Sequence, residues 1–210
     1  MQKIKTSLWL VSFITAIIIP IFIFNSLAFD INYYRAQFLK LDIYSKEPEA
    51  DKIAKEIINF FNRKSELSTE KLTFAEKSHL ADVKRVFDNL RIIIYLLIGL
   101  LLFIFFIILK KVRNKDELKQ FLAKYFIISS IIMFALIIIL VFALYNFTAS
   151  FQNTHELIFP QGNYAFHEDS VLITLFPEQF FINFVKDFVM NIGAISIVLL
   201  VIGIGVKRRD

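Results

Sequence analysis

The chain has 210 residues, 57% of them hydrophobic, and a formal net charge of +5. Its mean hydropathy is +0.60, with the apolar excess in long runs, which excludes an ordinary soluble domain and predicts an all-α polytopic membrane protein. The absence of cysteine removes disulfides, thiolate metal sites, a cysteine nucleophile and lipid attachment to the chain itself.

In chain order, residues 8–29 form an uncharged run long enough to cross a bilayer as a helix, which takes roughly 20 residues. Pro20 within it is tolerable in a membrane helix and predicts a kink. Lys3 and Lys5 also fit the n-region of a signal peptide, but the apolar stretch is too long for a typical h-region and reads as a retained anchor. Residues 30–91 are polar and long enough for a small helical cap. Pro48-Glu49 opens an amphipathic helix with Ile53, Ile57, Phe60 and Phe61 on one stripe, facing the membrane or its neighbours. Thr73 followed by Glu76 is a capping box that starts a second helix. His79, Asp82, Val83 and Val86 share one face of it. A break near Asp88-Asn89 is expected before the second span, since a straight helix would lift His79 away from the membrane.

Residues 92–109, 121–145 and 188–206 are the remaining spans, so one membrane domain covers 1–210. Lys124 lies near the end of the third span and can snorkel. Gly193, Gly203 and Gly205 in the fourth let a neighbouring helix approach. The link between spans two and three carries Lys110, Lys111, Arg113, Lys115 and Lys119, and the chain ends Lys207-Arg208-Arg209-Asp210. These basic flanks place both termini on the cytoplasmic side and segments 30–91 and 146–187 outside. They also account for the positive charge without nucleic acid. Segment 146–187 is too apolar for a plain loop and too interrupted to span, so its parts are expected at the outer interface.

The spans hold no Asp, Glu, Arg or His, which argues against a proton-coupled transporter. No HExxH or GxSxG motif is present, and the histidine spacing carries no metal signature. His79 and His155 remain, each just outside a span and on the same side. They are either a reactive pair or two interfacial histidines of a non-catalytic accessory or assembly protein. His167, beside Glu168 and Asp169, reads as solvated.

The stretch from Phe74 to Lys84, reading FAEKSHLADVK, resembles a motif of the bacterial lipoprotein intramolecular transacylase family. So do Phe151 to Tyr164, reading FQNTHELIFPQGNY, and Leu175 to Phe181, reading LFPEQFF. Ala75 and Tyr164 depart from the polar residue and Trp commoner there. The resemblance implies an intramolecular acyltransferase that moves the sn-2 acyl chain of a diacylglyceryl lipoprotein to the α-amino group of its N-terminal cysteine. The product is the lyso form. It implies a bacterial cytoplasmic membrane, with substrate and membrane lipids met in the outer leaflet. Ester becomes amide downhill, so no cofactor is required.

His79 and His155 are then the catalytic acid–base pair, their division of labour open, and an acyl-imidazole is an alternative. Asp82 is a candidate for orienting the His79 ring. Gly162 and Asn163 are candidate oxyanion donors, and Tyr164 a substrate contact.

Overall fold

The computed structural model describes residues 2–208, with side chains from Ser7 onward. Arg209 of the basic C-terminal run and the side chains of Lys3 and Lys5 lie outside the described residues. The elements are α1 (Gln2–Ala28), α2 (Ile31–Lys40), α3 (Ile43–Lys46), α4 (Ala50–Phe61) and α5 (Phe74–Lys111). They continue with α6 (Lys115–Tyr145), α7 (Phe147–Ile158), α8 (Val171–Leu175) and α9 (Glu178–Lys207). Among the described residues there is no strand. Among those residues four helices, α1, α5, α6 and α9, are long and apolar enough to cross a membrane.

Packing divides the chain into two compact units. The first comprises Met1–Phe24, Arg91–Phe142 and Asp187–Asp210; the second comprises Asn25–Leu90 and Ala143–Lys186. In the first, Leu8, Val11 and Ile14 of α1 pack with Ile104 and Ile108 of α5 and Phe121 and Tyr125 of α6. Two buried hydroxyl contacts tie the helices together: Thr15 Oγ1 and Tyr125 Oη lie 2.8 Å apart, and Ser130 Oγ donates to the Ser196 carbonyl at 2.8 Å. A Cβ on Gly203 would fall 2.7 Å from Ile127 Cγ1 and 3.0 Å from the Ala123 carbonyl, so α6 and α9 approach closely there. Gly205 has open space and Gly193 an ordinary contact at 3.8 Å. Trp9, Phe22, Phe103 and Phe142 point outward, as side chains facing acyl chains should.

The second unit has a core of its own. Phe38 of α2, Ile53 and Ile57 of α4, Leu80 of α5 and Leu172 and Leu175 of α8 are buried together with Phe180. The α4 stripe therefore faces neighbours within the unit. The segment expected at the interface supplies part of this core, with Leu172, Leu175 and Phe180 buried. α7 has no buried residue.

The expected break near Asp88-Asn89 is absent: α5 runs unbroken for 38 residues. No residue from Arg85 to Arg91 is Gly or Pro, so nothing in the local sequence breaks the helix. Asp88 does not cap but accepts from Arg63 Nε at 2.9 Å. At 1.5 Å per residue such a helix is roughly 57 Å long, against about 30 Å of hydrocarbon, so a long part of it lies beyond the span. His79, on that part, is nevertheless only 8% exposed. α1 likewise continues through Pro20.

Candidate functional site

The α5 end that carries His79 is set by its cap. Thr73 N–H and Oγ1–H both donate to Glu76 Oε2 at 2.8 Å, and Glu76 N–H donates back to Thr73 Oγ1 at 3.2 Å. This is the expected capping box. Its glutamate does more than cap: Glu76 is 1% exposed, and its Oε1 accepts Leu172 N–H at 2.9 Å, tying α8 to α5. A buried carboxylate is tolerated here because three donors satisfy it.

One turn on, the His79 ring faces that of His155 from α7, with centroids 6.3 Å apart and planes 25° from parallel. Phe159 packs 4.9 Å and Phe166 5.6 Å from His79. Phe151 lies 4.0 Å and Tyr164 5.3 Å from His155. The two imidazoles thus share an aromatic cage.

The hydrogen-bonding of the two rings differs. His155 Nδ1 lies 2.9 Å from the Phe151 carbonyl. A carbonyl only accepts, so Nδ1 carries a proton, and any lone pair the ring offers is at Nε2. His79 Nδ1 is buried with no hydrogen-bond partner. Burial, and then the charge of His155, push the His79 pKa down to about 4, with the Asn163 side chain acting weakly against them. His79 is therefore neutral at physiological pH.

Asp82 is 7% exposed and serves the 159–163 turn. Its Oδ2 accepts from Gln161 Nε2 at 2.8 Å and Asn163 Nδ2 at 2.5 Å, while its Oδ1 pairs with Arg85. It reaches the His79 neighbourhood through Asn163. Because a carboxylate only accepts, the Asn163 amide must turn its NH2 to Asp82 and its oxygen elsewhere, where Gln161 Nε2 lies 3.3 Å away. Gly162 sits at φ +75°, a left-handed conformation that disfavours a side chain. Its N–H donates to the Phe159 carbonyl at 3.0 Å. His167 stands apart, exposed and paired with Asp169 at 2.6 Å. Among the described residues no three His, Cys, Asp or Glu converge as a metal site would need.

Sequence reasoning singled out His79, His155, Asp82, Gly162, Asn163 and Tyr164, and the fold brings all six into one neighbourhood. It missed Gln161, Phe159 and Phe166, and the second bond of Glu76. The capping box was the only signal pointing to Glu76, and a cap does not disclose a distant partner.

The model of the lipoprotein intramolecular transacylase Lit family matches residues 4–181. The chain belongs to that family. Among solved structures, the membrane-integral lipoprotein intramolecular transacylase Lit from Bacillus cereus matches with a TM-score of 0.84 at 19% identity, covering 99% of this chain and 97% of that one. Two structures of that protein with a single histidine replaced, by arginine or by alanine, match with TM-scores of 0.77 and 0.78, each at 19% identity. They cover 99% of this chain and 93% and 95% of theirs. A search of curated proteins finds no match. The all-helical fold with four apolar helices is thus the Lit fold, and the chain is a membrane-integral transacylase.

Proposed function

We propose that this Lit-family transacylase moves the sn-2 acyl chain of a diacylglyceryl lipoprotein onto the α-amino group of its N-terminal cysteine, with His79 and His155 sharing the proton transfers. The observation that carries the reading is the facing of the two imidazoles at 6.3 Å within an aromatic cage. In this reading the protein sits in the bacterial cytoplasmic membrane with both termini inside and the site at the outer leaflet, where it meets the substrate and membrane lipids; the basic flanks of the spans support that orientation.

The substrate starts as an ammonium, with a pKa of about 7.7–8.0. His155 Nε2 takes one proton from it, its Nδ1–H staying on the Phe151 carbonyl. The freed amine attacks the ester carbon, forming the C–N bond and a tetrahedral oxyanion. As that bond forms the nitrogen becomes acidic, and neutral His79 takes its second proton and passes it to water. Collapse breaks the bond to the sn-2 oxygen, and His155 returns its proton to that alkoxide. The balance is one amide, one free hydroxyl and one proton released. Acid–base assistance of this kind contributes roughly 10²–10⁴-fold, and holding donor and acceptor in one molecule supplies much of the remainder.

Asp82 and Gln161 fix the amide orientation of Asn163. Gly162 shapes the turn rather than donating to the oxyanion, since its N–H is already engaged. Tyr164 contacts the substrate beside His155. Mass spectrometry of a lipoprotein N-terminal peptide tests the reaction. The peptide keeps its mass while fragmentation shows one acyl chain moved to the amine. A mass gain of a whole acyl chain would mean a separate lipid donor and would overturn the intramolecular reading.

A further inference from the structure

A groove of about 540 Å³ lies beside the histidine cage. One wall is a face of α5 bearing Asp82, Arg85 and Asn89; the other is the segment Phe159-Pro160-Gln161. It is continuous with the candidate site through Asp82, Phe159 and Gln161. Phe159 packs edge-on against His79, and Asp82 holds Asn163.

The proposed reaction constrains what lies there. The nitrogen that attacks is bonded to the cysteine α-carbon, and the next atom is the carbonyl that leads into the lipoprotein's peptide. The peptide must therefore leave the histidine cage within two bonds of the reacting nitrogen, by a path separate from that of the acyl chains. An acyl chain in this groove would strip water from Arg85, Asn89 and Gln161 without replacing their hydrogen bonds, a costly exchange. A peptide backbone offers alternating acceptors and donors to such side chains, and Phe159 and Pro160 give the opposite wall an apolar surface for its Cα atoms. Arg85, 77% exposed at its side chain, is paired with Asp82, so the wall carries little net charge.

We propose that this groove binds the peptide segment immediately following the lipid-modified cysteine, an inference that rests on the proposed reaction. The test uses the full-length protein in detergent with two diacylglyceryl lipopeptide analogues. One carries a photoreactive residue at the third position, the other a photoreactive group at the end of the sn-2 acyl chain. The peptide-labelled analogue should crosslink to residues 85–89 or 158–161, and the acyl-labelled one elsewhere. Filling the groove with Asn89→Trp should raise KM for the lipopeptide, relative to a diacylglyceryl-cysteine amide lacking the peptide, by roughly tenfold, the effect of losing one or two backbone hydrogen bonds. If the analogues are not converted at all, the proposed reaction fails. If they are converted but the peptide label crosslinks away from both walls, or the acyl label crosslinks to them, the reaction stands and the groove assignment is overturned.

Discussion

Asp82 and Asn163 meet at 2.5 Å although 81 positions separate them in the chain. The contact decides which way the Asn163 amide points, and so whether its oxygen or its NH2 is offered beside His79. Asp82 therefore acts on the site through another residue, without a bond to the ring it was expected to orient.

Asp82→Asn should free the Asn163 amide to flip and lower conversion by roughly 10- to 100-fold, the scale of a misplaced reacting group. Nitrogen-15 NMR of histidine-labelled protein checks the cause. His79 should show one neutral tautomer in the wild type and a mixture in the variant. An unaltered His79 spectrum in an inactive Asp82→Asn protein would remove Asp82 from this role.

His79→Ala and His155→Ala should each abolish conversion, because either loss leaves one proton transfer unassisted at a cost of roughly 10²–10⁴-fold. His167→Ala, on an exposed ring paired only with Asp169, should retain most activity. The lipopeptide fragmentation assay reads all three variants, with expression level checked alongside. Wild-type conversion by either of the first two would end the two-histidine mechanism.

The depressed pKa of His79 makes a statement about stability. In the folded chain its ring stays neutral down to about pH 4, whereas its ordinary value is 6.5. Between these values the unfolded chain binds more protons, so stability falls as pH drops. Its contribution is fully present above about pH 6.5 and lost toward pH 4, amounting to on the order of 2 kcal/mol after allowance for solvent screening. Thermal unfolding in detergent from pH 7.5 to 4.5 should show a smaller loss of Tm in His79→Gln than in the wild type. Parallel curves for the two proteins would contradict the burial argument.

At Gly203 an added methyl meets Ile127 and the Ala123 carbonyl. Gly203→Ala should therefore force α6 and α9 apart at a cost of roughly 1–3 kcal/mol. Gly205→Ala, with nothing within 4 Å of the new Cβ, should leave Tm unchanged. Equal Tm values for the two variants would mean that the close approach at Gly203 is not required.

The absence of native cysteine makes topology measurable with single substitutions and a membrane-impermeant thiol reagent. Ser65→Cys and Asn153→Cys should label in intact cells, and Lys115→Cys should label only after lysis. Labelling of the Lys115 variant from outside would invert the orientation inferred from the basic flanks.

What the amino-acid order determines by itself is local. Apolar runs of bilayer length, the clusters of Lys and Arg flanking them, the Thr73–Glu76 cap and the turn at Gly162 all follow from residues near one another in the chain. The local reading erred where it asked local chemistry to stop a helix: Asp88 can cap, but it pairs with Arg63 and α5 runs through. Segment 30–91 reads only as a small helical cap, and the fold joins residues 25–90 to residues 143–186 to make a core around Phe38, Ile57 and Leu175. The tertiary structure alone brings His79 against His155, Asp82 against Asn163 and Glu76 against Leu172. Hydropathy and capping need only the next few residues, whereas a buried polar atom takes whichever partner the packing of distant segments delivers to it.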